Sequence, residues 1–373
     1  MEIPFMKKML LLLFSFVTLV SFAQTNIVDS FLVDGVYRNY ILHVPTGYSA
    51  ATQHPLALNL HGYTSNASQE QLYTQMDVTA DANNFLVVYP NGISNYWNSF
   101  GAGADDVKFL DSLIERIKHS YTIDTTSIYS CGMSNGGFMS YTLACLLSHK
   151  IAAVASVTGT MSNYNLSHCT LKHKMPVLDI HGTADPTVNY ATGVTNAIGV
   201  EATLAFWLDT NNCALISDTT DIPNTNLTDG CTAQLIRYQT CEQNAEVYFY
   251  KIAGGGHTWP GGSVTVGVTN RDLNASTEIW NFFKRHKLNT SVGINDSKTE
   301  TINAYPNPFD NVISLHLTSP QDVLLYNALG EVVFEAKHQQ QKISINTASL
   351  APGLYFLVTD DHQSLKSVKK MIK

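Results

Sequence analysis

The segment Gly132-Met133-Ser134-Asn135-Gly136-Gly137 constrains this chain more than any other stretch. An apolar, strand-like run, Ser127–Cys131, leads into it, and an apolar helical run from Phe138 to Leu147 follows. A strand, a tight turn and a helix with G-x-S-x-G at the bend bring two backbones close together. Glycine is expected on both sides of the serine because the bend is strained and because the adjacent elements approach too closely for a Cβ. Ser134 is thereby pushed out at the top of a sheet, at a helix N-terminus that favours developing negative charge. The plainer alternative is a small-residue turn whose serine only caps the helix.

A serine nucleophile needs a base within reach and an acid that orients the base, in the chain order Ser, Asp, His for such a turn. The sequence supplies that order. After a strand at Pro176–Ile180 comes His181-Gly182-Thr183-Ala184-Asp185-Pro186, which puts Asp185 in a loop at the strand's carboxyl end. After a strand at Val247–Ile252 comes Ala253-Gly254-Gly255-Gly256-His257-Thr258-Trp259-Pro260-Gly261, a glycine-rich loop from which His257 can swing over the serine. His181 competes as base, but it precedes the acid at a strand end and is expected to pack against or hydrogen-bond the acid loop. Two backbone N–H donors are also required for an oxyanion. Asn135, after the nucleophile, supplies one, and Tyr63 of His61-Gly62-Tyr63-Thr64 is the expected second.

From Phe31 to about Lys287, short apolar runs alternate with amphipathic patterns, which predicts an α/β fold with a mostly parallel sheet flanked by helices. Further strands are expected at Leu56–Leu60, Phe85–Tyr89 and Ala152–Val157, after an antiparallel hairpin over Phe31–Pro45 that turns at Asp34-Gly35. The clearest helix has Asp105 or Asp106 as N-cap and Phe109, Leu110, Leu113, Ile114 and Ile117 on one face. Hydrophobic residues form 45% of the chain and charged ones 14%, enough apolar material for a sizeable core. A net charge of -8 offers no basic footprint for nucleic acid. The histidines show no paired zinc-ligand spacing, so neither metal nor organic cofactor is expected.

Lys7 and Lys8, an apolar run from Met9 to Val20 and Ser21-Phe22-Ala23-Gln24 have the order of a secretory leader cleaved after Ala23, too short to remain as a transmembrane segment. Export leads to an oxidising compartment, where six cysteines allow fifteen connectivities. Cys145 and Cys169 bracket one strand-forming stretch, and Cys213, Cys231 and Cys241 crowd the segment before His257. The pairs expected are Cys145–Cys169 and Cys213–Cys241, with Cys131 read as a small buried hydrophobe.

Residues 289–302 are polar and aperiodic, as a linker should be. Beyond them, from about Asn303 to Lys373, short alternating runs separated by turns such as Ala328-Leu329-Gly330 and Ala351-Pro352-Gly353 predict a small all-β sandwich. Tyr305-Pro306-Asn307-Pro308-Phe309, Gly353-Leu354-Tyr355 and the Lys-rich end make this unit resemble the C-terminal sorting domain of the type IX secretion system. The resemblance implies a secretion machinery as partner and an extracellular or cell-surface destination.

Residues 30 to 287 resemble secreted α/β-hydrolases of the polyhydroxybutyrate depolymerase and feruloyl esterase group. The motifs are Leu60-His61-Gly62-Tyr63, Tyr96-Trp97-Asn98, Asp105-Asp106-Val107-Lys108-Phe109-Leu110, the serine turn, His181-Gly182-Thr183-Ala184-Asp185 and Gly256-His257-Thr258-Trp259-Pro260-Gly261. The resemblance implies serine ester hydrolysis by Ser134, Asp185 and His257; the two disulfides also follow family habit, with Cys231 surplus. Trp97 and Trp259 are candidates to line the pocket mouth, with core packing as the alternative. Hydroxybutyrate polyesters, feruloylated polysaccharide and acetylated xylan all fit as substrates. A peptidase of the same fold, an inactive binding module and an adhesive surface protein are the rival readings.

Overall fold

The structure is a computed structural model that describes residues 25–288, 302–317, 319–360 and 367–373. The chain divides into two compact units, Met1–Asn289 and Thr290–Lys373. The leader expected at residues 1–23 lies outside the described residues, as does the expected linker apart from Ile302.

The larger unit contains β1 (Thr25–Val33), β2 (Val36–Val44), β3 (His54–Leu60), β4 (Leu86–Pro90), β5 (Ile123–Met133), β6 (Ala153–Val157), β7 (Val177–Gly182), β8 (Asp218–Asp221), β9 (Thr232–Tyr238) and β10 (Val247–Ala253). They form one sheet in the order β1-β2-β4-β3-β5-β6-β7-β10-β9-β8. The central run from β4 to β10 is parallel, and an antiparallel pair borders it on each side. Such strands are covered on both faces. Along β3, Leu56, Leu58 and Leu60 enter one core and Ala57 the other. The β1–β2 turn falls at Asp34-Gly35, both with positive φ, the conformation that suits the twist of a two-residue hairpin.

The helices are α1 (Ala67–Thr74), α2 (Met76–Asn83), α3 (Asp106–Ser120), α4 (Asn135–Leu146), α5 (Asn163–His168), α6 (Val200–Thr210) and α7 (Ala275–Phe283). Apolar residues of α3, α4 and α6 share one core, and those of α1, α2 and α7 the other. On α3 the apolar face is Phe109, Leu110, Leu113, Ile114 and Ile117, all buried. Burying such side chains contributes on the order of 2 kcal/mol each before conformational entropy is subtracted. Asp105 is the N-cap, accepting from Lys108 N at 2.9 Å. Asp106 does a different job: it forms a buried ion pair with Arg38 at 2.6 Å.

Disulfides join Cys145 to Cys169 and Cys213 to Cys241, and Cys131 and Cys231 are buried thiols. The first fastens the end of α4 to the segment after α5, and the second ties the loop after α6 to the segment between β9 and β10. Burial pushes the Cys131 thiol well above its usual range. Among the described residues no helix is long and apolar enough to cross a membrane.

The smaller unit holds β11 (Asn303–Tyr305), β12 (Val312–His316), β13 (Gln321–Asn327), β14 (Val332–Gln339), β15 (Lys342–Asn346), β16 (Leu354–Asp360) and β17 (Ser367–Ile372). Two antiparallel sheets, β11-β12-β15 and β14-β13-β16-β17, enclose a common core that includes Phe309, Ile313, Leu315, Ile345, Val323, Leu325 and Leu357. Alternate residues of β12 and β16 point into that core, as the period of two requires.

Candidate active site

Ser134, Asp185 and His257 follow the carboxyl ends of β5, β7 and β10, which lie close together in the sheet order with only β6 between β5 and β7. Ser134 itself bears the strain of the bend, with φ 54° and ψ -116°. Its N–H donates to Val157 O at 2.8 Å, and its carbonyl accepts from Phe138 N at 2.9 Å, so strand and helix both hold it. The flanking glycines serve the other purpose expected of them. None of Gly132, Gly136 and Gly137 has a positive φ. A Cβ on Gly136 would stand 1.9 Å from Leu60 O, and one on Gly132 would stand 2.5 Å from the same oxygen. Close approach, not backbone freedom, requires glycine there.

The acid and base loops meet through their backbones. Thr183 N donates to Ile252 O at 2.8 Å and Ala184 N to Gly255 O at 2.9 Å. A Cβ on Gly182 would lie 2.2 Å from Gly255 O, so only glycine lets the end of β7 touch the loop that carries His257. The contact sets His257 Nδ1 2.7 Å from Asp185 Oδ2. Since an ionised carboxylate only accepts, Nδ1 carries the proton and Nε2 is left as the base. Asp185 is buried, and its Oδ1 accepts from Thr187 N and Val188 N at 2.8 and 2.9 Å. Burial acts to raise its carboxyl, but the bonds from His181 and His257 outweigh it and hold the group well below the usual carboxylate range. Asp185 therefore stays ionised.

The turn after β3 passes over the serine: a Cβ on Gly62 would be 3.6 Å from Ser134 Cβ. Neither Tyr63 N nor Asn135 N has an acceptor among the described residues. Two backbone donors beside the serine are thus open. His61 is neutral, because burial pushes its imidazole down despite the Gly62 carbonyl. Its Nε2 accepts from Gly92 N at 3.0 Å and its Nδ1–H donates to Gly62 O at 2.8 Å, which fixes the turn.

Two expectations about tryptophan need correction. Trp97 and Trp259 are both fully buried and present no face to a pocket mouth. The Trp97 indole donates to His61 O at 3.0 Å and that of Trp259 to Ser276 Oγ at 3.2 Å, so each fastens a loop from beneath. The Asn135 side chain accepts from Trp97 N at 2.6 Å and donates to Trp97 O and Ser99 Oγ. Asp106, read as helix capping in the sequence, accepts from Asn98 N at 2.8 Å through Oδ2 and so ties the same loop to α3, while its Oδ1 pairs with Arg38. The exposed apolar residues beside these loops are instead Tyr63, which meets Tyr96 edge to face at 5.9 Å, and Val268, whose carbonyl accepts from Gly256 N at 2.9 Å. Among the described residues no group of three or more His, Cys, Asp or Glu could hold a metal ion.

Residues 38–206 match the family described as "Esterase PHB depolymerase", and residues 303–373 match the "Secretion system C-terminal sorting domain". A bifunctional acetylxylan esterase/xylanase of Neocallimastix patriciarum is 29% identical over 218 residues, 58% of this chain and 31% of that protein. A probable feruloyl esterase C of Aspergillus flavus is 32% identical over 177 residues, 44% of this chain and 63% of that protein. Feruloyl esterase B of Piromyces equi is 28% identical over 236 residues, 59% of this chain and 42% of that protein. The chain spans less than two thirds of the length of each of these relatives. Each unit thus matches one family: the larger matches the esterase family over residues 38–206, and the smaller matches the sorting-domain family over residues 303–373.

Proposed function

We propose that this chain is a secreted serine carboxylic-ester hydrolase with Ser134 as nucleophile, His257 as general base and Asp185 as its orienting acid. The observation that carries the reading is the 2.7 Å bond from His257 Nδ1 to Asp185 Oδ2, at the same edge of the sheet as a strained Ser134. Ser134 Oγ attacks the ester carbonyl while His257 Nε2 takes its proton, and Asp185 stabilises the imidazolium. The N–H groups of Tyr63 and Asn135 receive the oxyanion. The tetrahedral intermediate collapses, the alcohol leaves with the proton from His257, and water repeats both steps on the acyl-enzyme.

Residues 24–288 form the catalytic region, and residues 303–373 address the chain to a secretion machinery that delivers it outside the cell or to its surface. The relatives named above act on acetylated xylan or feruloyl esters by their descriptions. Those two classes and 3-hydroxybutyrate polyester are the substrates to compare. The experiment is product release by the full-length chain from acetylated xylan, methyl ferulate and 3-hydroxybutyrate oligomers, with a peptide amide as control. Turnover of one ester and none of the amide supports the reading; amide turnover at a comparable rate points to a peptidase.

A further inference from the structure

Behind the carboxylate that holds His257 stands a second histidine that the acyl transfer does not use. Alternation along β7 places Asp179 and His181 on one face, and neither has any solvent exposure. His181 Nε2 lies 2.9 Å from Val188 O and 3.3 Å from Asp185 Oδ2. Both neighbours are acceptors, so Nε2 carries a proton. Asp179 Oδ2 accepts from the Tyr141 hydroxyl of α4 at 2.6 Å. Two buried atoms on the same face have no partner, His181 Nδ1 and Asp179 Oδ1. Buried polar atoms left unpaired oppose folding, and an apolar pair would fill a strand end better.

We propose that His181 is a positioning residue for the acyl transfer: its Nε2–H, held between Val188 O and Asp185 Oδ2, keeps that carboxylate oxygen in line with His257 Nδ1–H. The inference rests on the assignment of Ser134, His257 and Asp185 made above. Thr187 N and Val188 N donate to Oδ1 and His257 Nδ1 to Oδ2, and His181 Nε2, 3.3 Å from Oδ2, is the fourth polar contact on the carboxylate. Sharing Oδ2 also divides its negative charge, so His181 tempers the basicity of His257. The other titratable groups around His181 are Tyr190, whose ring meets it edge to face at 6.1 Å, Glu201 of α6, which accepts from the Tyr190 hydroxyl, and Lys251 of β10, 5.4 Å from that ring.

The test compares His181→Phe and His181→Gln with the wild-type full-length chain on one soluble ester, reading kcat, KM, the pH profile and thermal stability. Phe removes the donor; the expected result is a kcat lower by about tenfold to a hundredfold at unchanged KM, with the acid limb of the profile moved to higher pH. Gln restores a donor, and kcat is expected within about threefold of wild type. Wild-type kcat and acid limb in His181→Phe overturn the proposal. So does a tenfold loss in His181→Gln at unchanged thermal stability, which decides the matter alone should the Phe variant not fold. Ser134→Ala, run alongside, separates the two inferences: if it still turns over the ester, the assignment of the nucleophile has failed, whatever His181 does.

Discussion

His257 Nδ1 and Asp185 Oδ2 lie 2.7 Å apart although 72 residues separate them in the chain. The proton between them leaves Nε2 of His257 as the free base. Asp185→Asn keeps the size of the side chain but offers an amide that favours the wrong tautomer of the ring. A fall in kcat on the order of 10⁴ is expected, with little change in thermal stability. Steady-state kinetics on any hydrolysed ester checks it, and a loss below tenfold would contradict the orienting role.

Leu60 O stands where a Cβ on Gly136 would be, 1.9 Å away. Backbone cannot swing aside as a flexible side chain can. Gly136→Ala is therefore expected to cost about 3 kcal/mol or more, or to prevent folding, whereas Gly330→Ala meets no atom within 4 Å and suffers only the strain of its φ of 82°. Denaturant melts of the two variants make the comparison.

Arg38 and Asp106 pair at 2.6 Å with side chains 4% and 1% exposed. Asp106→Asn leaves the guanidinium buried without its counter-charge and loosens the loop that holds Asn135. A destabilisation of about 3 to 5 kcal/mol is expected, with reduced kcat in the protein that remains folded. Chemical denaturation and kinetics measure the two effects separately.

Burial raises the Asp179 carboxyl to about 6, against the opposing influences of His181 and Tyr141. The folded state therefore holds this proton more tightly than the unfolded one, and the group's contribution to stability falls as pH rises from about 4 to about 6. Asp179→Asn removes that dependence. The variant should melt higher than wild type at pH 8 and close to it at pH 4. Calorimetry at the two values is the check, and a lower melting temperature at pH 8 would count against the account.

Much of this arrangement was legible because a parallel sheet writes its plan locally. Short apolar runs mark its strands, and the glycine-flanked serine, the aspartate and the histidine each stand just after one of them. What escaped was set by contacts between distant segments. Nothing near Asp106 announces Arg38, which is 68 residues away. Whether Trp97 and Trp259 face a pocket or a core depends on how their loops fold back, and both face inward. β8 reads Asp-Thr-Thr-Asp, wholly exposed, so no apolar alternation could reveal it. The place of His181, by contrast, was legible: it was expected against the acid loop, and its Nε2 lies 2.9 Å from Val188 O and 3.3 Å from Asp185 Oδ2.

The most direct measurement is peptide mass spectrometry of the full-length chain after reaction with a fluorophosphonate, which phosphonylates an activated serine. The account predicts one stoichiometric adduct on Ser134, complete loss of ester hydrolysis in step with labelling, and no adduct in Ser134→Ala. An adduct on another residue, or hydrolysis that survives full labelling of Ser134, would contradict it.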